Sequence, residues 1–305
     1  MTAVALRRAG RAAGLTEWAG FAWGFLAATI WGAYLAFARA GVVAGVSPLD
    51  FAMLRFVTAG AVMLPVLLRL GLPSLAGVGW PRGLMLTLQG GPAFILVGTL
   101  GYRYAPLAHG AVAQPGTAVI GTMLLAVLLL GERVTPLRWF GAALVVAGLT
   151  IVAGGFVATG GAWRGDLCFI AAGGLWAAFT VTCRVWQVDP LRSTAIISVV
   201  GGVAVVPVWL AVGDGTALLA QGVGALVVQA VVQGVLSGVV AVFAYGRAVA
   251  RLGAARSAIF AAMVPALAML AGVPVAGEWP SAVQWAGLAV VLAGLSLAMG
   301  VVRPR

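Results

Sequence analysis

Charge is scarce in this sequence: only 8% of its 305 residues are Asp, Glu, Lys or Arg. That is too little to coat a soluble globule of this size, so lipid must cover much of the surface. Lysine is absent. The 18 basic residues, all arginine, are scattered between apolar blocks, and no Lys/Arg run exists. The net charge of +11 therefore does not point to a nucleic-acid partner. One histidine, no His/Cys/Asp cluster at metal-ligand spacing, no Gly-x-Ser-x-Gly and no Walker loop argue against an enzyme, a bound metal or a cofactor, and against ATP-driven pumping by this chain alone. The two cysteines, Cys168 and Cys183, fall on one expected helix about 22 Å apart, too far for a mutual disulfide. Of seven carboxylates only Asp50 starts a span; the others sit at span edges or in loops, so no conducting ring of charge is expected.

What the chain does have is apolar length. Hydrophobic residues make up 63% of it and the mean hydropathy is +1.11. They lie in blocks of about 20, the length a helix rising 1.5 Å per residue needs to cross roughly 30 Å of hydrocarbon. The expected fold is all-α and integral to the membrane, with ten transmembrane helices near 18–38, 49–70, 83–101, 108–130, 137–157, 167–186, 193–212, 224–246, 255–276 and 281–302. Turn and polar clusters separate them, among them Ser47 and Pro48, Gly131 and Glu132, Asp189 and Pro190, and Glu278, Trp279 and Pro280. With the N-terminus in the cytoplasm, 14 arginines fall inside, Arg39, Arg103 and Arg164 fall outside, and Arg55 lies within a span. A bias that large over short loops places both termini in the cytoplasm of a multi-pass inner-membrane protein.

The second half repeats the first at a shift of about 145 residues. Trp31 and Arg39 align with Trp176 and Arg184, Pro48 with Pro190, and Pro65 with Pro207. At a shift of 146, Gly131, Glu132, Trp139, Gly141 and Gly148 align with Gly277, Glu278, Trp285, Gly287 and Gly294. The expected organisation is a cytoplasmic tail 1–17, a five-helix repeat 18–157, a linker 158–166, a second repeat 167–302 and a tail 303–305. Five is odd, so the second repeat enters the membrane inverted. Two inverted copies around one central site are the common plan of secondary transporters.

The candidate site residues are the polar and aromatic groups inside spans. Arg55 lies six positions into span 2, where a charge costs up to about 2.5–3.5 kcal/mol at the helix centre and so faces a cavity or a partner. It either holds a substrate carboxylate, or snorkels to the outer surface, or pairs with Asp50. His109 and Asp50 are candidate proton-coupling sites, with a headgroup-level histidine as the alternative for His109. Gln114 is a candidate substrate contact. Gln229 and Gln233, one turn apart, form a polar stripe that faces either the cavity or a neighbouring helix. Trp31, Tyr34 and Trp176 are candidate aromatic walls, or packing residues. Pro115 in span 4 and Pro265 in span 9, with Gly90, Gly91 and Pro92 in span 3, mark expected kinks.

These residues resemble a known family. The stretch from Gly101, Tyr102 and Arg103 through His109, Gln114 and Pro115, then Leu128 to Glu132, Gly141 and Gly148, is similar to the EamA-type transporters of the drug/metabolite transporter superfamily. Ala248 through Arg256 to Pro265, Gly277, Glu278, Gln284, Trp285 and Gly287 carry the same signature in the second half. The resemblance covers nearly the whole chain. It departs where the first half has Val119 opposite Pro265, its proline displaced to 115. It implies an inverted five-plus-five bundle and export of amino acids or related small metabolites, with substrate and lipid bilayer as partners and a homodimer left open. Carriage of lipid-linked or sugar-type groups, or a non-transporting sensor or assembly role, are the alternatives.

Overall fold

The structure, a computed structural model, describes residues 3–153 and 161–300. The expected tail 303–305, residues 158–160 of the linker and the far ends of the spans at 154–157 and 301–302 lie outside the described residues. Among the described residues all regular structure is helical. The helices are α1 (Ala3–Val43), α2 (Pro48–Leu70), α3 (Trp80–Gly90), α4 (Pro92–Gly101), α5 (Leu107–Leu130), α6 (Pro136–Val152), α7 (Trp163–Val185), α8 (Pro190–Val212), α9 (Thr216–Ala220) and α10 (Gly222–Gln229). A π-helical stretch, Ala230–Val240, leads into α11 (Ala241–Leu252), followed by α12 (Ala254–Ala276) and α13 (Ala282–Ala298). Eight helical segments are long and apolar enough to cross a membrane, α3 and α4 together making one and α10 through α11 another. Of the remaining three, α6 and α13 are apolar but of 17 residues each, and α9 has only five. Leu128, Val203, Leu210 and Val223 stand fully out from the bundle, as a lipid-facing surface requires.

Local sequence sets the helix ends. Ser47 caps α2: its hydroxyl accepts from the Asp50 amide at 3.1 Å while the Asp50 carboxylate accepts from the Ser47 amide at 3.2 Å, with Pro48 in the first turn. The matching position in the second half is Asp189, whose carboxylate accepts from the Leu191 and Arg192 amides ahead of Pro190. Ser47→Ala removes one half of that capping box and is expected to cost about 1 kcal/mol, read as a lower thermal midpoint in detergent; an unchanged midpoint would show the cap to be idle. At the other end, α5 and α12 both stop at a left-handed glycine, Gly131 at φ 65° and Gly277 at φ 67°. The next amides, of Glu132 and Glu278, reach back six residues to the Ala126 and Gly272 carbonyls. This glycine-based stop presents a glutamate just beyond each helix in the same local geometry.

Packing follows the repeat. Helix α2 lies against α8 and α6 against α13, each pair made of corresponding helices, while α5 against α7 is matched by α12 against α1. The α6–α13 seam is built on glycines seven residues apart. A Cβ at Gly148 would stand 2.8 Å from the Gly287 carbonyl oxygen, and one at Gly294 would stand 2.7 Å from the Gly141 carbonyl oxygen. Backbone approach that close is how helices gain contact in lipid, where no hydrophobic drive exists between them. Arg138 closes one end of the seam by donating from Nε to the Ala298 carbonyl at 2.7 Å.

Candidate functional site

The third span of each half is not a continuous α-helix. In the first half it breaks at Gly91, between α3 and α4. At the shift of 146, Gly91 corresponds to Ser237, which lies inside the π-helical stretch of the second half. The two interruptions therefore fall at equivalent depths. Broken or π-type turns leave backbone carbonyls outside the regular ladder, and such turns gather at functional sites.

Arg55 points at the second interruption. Its Nη1 donates to the Gln233 carbonyl at 2.9 Å and to the Ser237 hydroxyl, which itself donates to the Gln233 carbonyl at 2.7 Å. The guanidinium also sits over the Tyr34 ring, 5.4 Å from its centroid, a cation–π contact from α1. Arg55 thus neither snorkels out nor pairs with Asp50, the two structural alternatives the sequence offered. Among the described residues it enters no ion pair, and its Nε and Nη2 have no hydrogen-bond acceptor. One edge of the fork is anchored by protein and the other is available.

The glutamine stripe holds the π segment to α1. Gln229 Nε2 donates to the Phe37 carbonyl at 3.0 Å, and Gln233 Nε2 donates to the Tyr34 carbonyl at 3.2 Å and to Gln229 Oε1 at 3.3 Å. Ser237 extends the stripe by one more turn. Its spacing of four from Gln233 made it legible in the sequence, yet it was not singled out there. Tyr34 and Gln114 line a narrow central cavity together with Phe94, Thr99 and Tyr102. Its volume is about 10 Å³, room for roughly one water and no metabolite, so the centre is closed. Tyr102, 1% exposed, has a buried hydroxyl with no hydrogen-bond partner among the described residues. Burial pushes its phenol well above the usual range, Tyr34 and Glu278 adding to the shift and Arg39 opposing it, so the ring stays neutral.

The other candidate residues stand away from Arg55. Trp176 stacks at 5.1 Å on Phe94 and so backs the cavity wall, whereas Trp31 packs against Tyr245 at 5.4 Å. His109 Nδ1 meets Asp166 Oδ1 at 2.8 Å, tying the start of α5 to the first turn of α7. Asp50, 2% exposed, is held by Ser47 and by Trp209, whose Nε1 donates to it at 2.7 Å. Pro115 and Pro265 lie inside α5 and α12, which run on through them. Gly90 packs under the Phe179 ring.

A second, wider cavity of about 260 Å³ opens at the end of the bundle where α5 begins. Arg39, Leu107, Glu278 and Gln284 line it. Arg39 Nε donates to Glu278 Oε1 at 2.5 Å and Arg39 Nη1 donates to the Tyr102 carbonyl. The Leu107 amide donates to Glu278 Oε2 at 2.7 Å. This knot ties α1 and the α4–α5 turn to the loop after α12, and no residue pattern indicated that Arg39 and Glu278, 239 residues apart, would meet.

The repeat has its counterpart among known proteins. The EamA-like transporter family matches residues 18–154 and again 163–300. The chain belongs to that family. An EamA-like protein is a membrane transporter, and the two matched ranges are two copies of one helical repeat. Among solved structures, one described only as "Crystal structure of protein" is 22% identical, covers 93% of this chain and 96% of its own, and superposes with a TM-score of 0.62. That likeness shows the fold alone. No curated relative matches the sequence.

Proposed function

We propose that this EamA-like protein is a secondary transporter that exports small metabolites, amino acids or related compounds, by alternating access. Its ten spans form an inverted five-plus-five bundle in the inner membrane with both termini in the cytoplasm. The observation that carries this reading is Arg55: a cation inside the bundle, half-satisfied by an irregular segment of the opposite repeat and backed by an aromatic ring. A planar guanidinium with a free edge suits a carboxylate, which it can grip through two parallel hydrogen bonds. Gln114, Tyr34 and the Tyr102 hydroxyl supply neutral polar partners for the rest of a small zwitterion or anion. The closed central cavity corresponds to an occluded state, which opens to one side or the other as the halves rock.

Trp176 backs the cavity wall through Phe94 in this reading, and Trp31, at the matched place on α1, is a packing residue against Tyr245. His109, paired with Asp166, is the stronger candidate for proton coupling, since that pair bridges the two repeats from α5 to α7. Asp50 is the weaker one, being engaged in a helix cap. The test is counterflow in proteoliposomes against a panel of labelled amino acids, other organic acids and sugars, with and without an imposed pH gradient. Saturable exchange of a carboxylate-bearing class is expected. Exchange of sugars alone, or none from folded protein, would overturn the reading.

A further inference from the structure

The Arg39–Glu278 pair has a counterpart at the other end of the bundle. Arg184 on α7 donates from Nη2 to Glu132 Oε1. Arg184 is the repeat mate of Arg39, and Glu132 is the repeat mate of Glu278. Each pair joins the end of the first span of one half to the glutamate that follows the fourth span of the other half. The two lie at opposite ends of α5, whose first amide touches Glu278 and whose last turn leads into Glu132. At 24 residues that helix separates them by roughly 36 Å.

The two pairs are alike in residues and unlike in state. Arg39 and Glu278 are 18% and 25% exposed and make two further contacts, to the Tyr102 carbonyl and the Leu107 amide. Arg184 and Glu132 are 48% and 40% exposed. The repeat mates of Tyr102 and Leu107 are Ala248 and Gly253, and the Gly253 amide is instead bonded to the Val249 carbonyl at 2.9 Å. One end is knotted into the α4–α5 turn; the other is held by a bare surface pair.

Resting on the transporter reading, we propose that Arg39–Glu278 and Arg184–Glu132 are the two alternating latches of the transport cycle, each closing one face. In the structure both are engaged, the Glu278 side firmly and the Glu132 side loosely, which makes an occluded state poised to open toward the Glu132 face. Because the halves are equivalent, the opposite state follows by exchanging their conformations. In it, Arg184 takes the Ala248 carbonyl, Glu132 takes the Gly253 amide, and Arg39 and Glu278 keep only the exposed pair that Arg184 and Glu132 make now, ready to part.

The test needs no substrate. In protein with Cys168 and Cys183 replaced by serine, Ile95→Cys places one thiol on the wall of the central cavity. Its labelling rate by a membrane-impermeant maleimide is measured from each face, in right-side-out and inverted vesicles. Glu278→Gln is expected to raise labelling from the Glu278 face about tenfold, as loss of a partly buried charged knot implies. Glu132→Gln is expected to raise labelling from the opposite face only about threefold, as loss of an exposed pair implies. Arg39→Gln must reproduce the Glu278→Gln shift, which covers the case that one variant folds poorly. Exchanging the charges in Arg39→Glu with Glu278→Arg must bring labelling back toward the parent. Unchanged labelling, or a rise from the same face in both variants, would overturn the latches. If counterflow is intact while labelling does not respond, the latches fail and the transporter reading stands; if labelling shifts as expected in a protein that exchanges nothing, the reverse holds.

Discussion

Gly294→Ala is expected to destabilise the protein by about 2 kcal/mol or more, although it adds a single methyl group. The new Cβ would stand 2.7 Å from both the Gly141 carbonyl oxygen and the Val145 amide nitrogen. Neither is the end of a flexible side chain. Helices α6 and α13 must therefore separate, and separation loses contact along a seam whose other glycines, Gly141, Gly148 and Gly287, meet the partner backbone in the same way. In lipid that contact is most of what holds the pair. The same substitution at Gly246 in α11, where an added Cβ meets nothing within 4 Å, is expected to be neutral or to stabilise by about 0.5 kcal/mol. Thermal unfolding of the two variants in one detergent checks this. Equal midpoints would show that the α6–α13 seam is looser than its geometry indicates.

Arg55→Gln is expected to lower transport of a carboxylate substrate about 100-fold while leaving the folded yield intact. Truncating one partner of a desolvated, hydrogen-bonded charge pair costs about 2–5 kcal/mol, and tenfold is lost for each 1.4 kcal/mol. Folding is spared because Gln can still donate to the Gln233 carbonyl and because no carboxylate is left without a partner when the arginine goes. The loss should fall on substrate recognition: an amide analogue of the substrate, which lacks the carboxylate, should be handled equally poorly by both proteins. Uptake kinetics on acid and amide decide it. Full activity of Arg55→Gln on the acid would remove Arg55 from the site.

The bundle was readable from the sequence because its cues are local or periodic. Apolar blocks gave the spans, and Ser47 with Pro48, Asp189 with Pro190 and the glycines before Glu132 and Glu278 marked their ends. The repeat was readable because tryptophan, proline and glutamate recur in order. What the sequence left out are contacts that cross between the repeats. Arg55 carried its anomaly openly, as a charge within a span, but its partners turned out to be a backbone carbonyl and Ser237 on a π-helical stretch, and no residue pattern encodes a carbonyl released by helix winding. Likewise Arg39 and Glu278 were each placed at their membrane edge by the repeat, while their meeting depends on how α1 and α12 pack. His109 stood in the sequence as a candidate proton-coupling site or a headgroup-level histidine; its pairing with Asp166 comes from the seat of α7 against α5.

Inversion of the second repeat is what puts one latch on each face and the broken spans at one depth. Side-specific labelling tests it directly, with Thr135→Cys beside Glu132 and Trp279→Cys beside Glu278, each in protein lacking Cys168 and Cys183. Both positions are exposed in the structure. An impermeant maleimide added to intact cells is expected to label position 279 at once and position 135 only after the membrane is opened. Labelling of both from the same side would contradict the inversion and the transport cycle built on it.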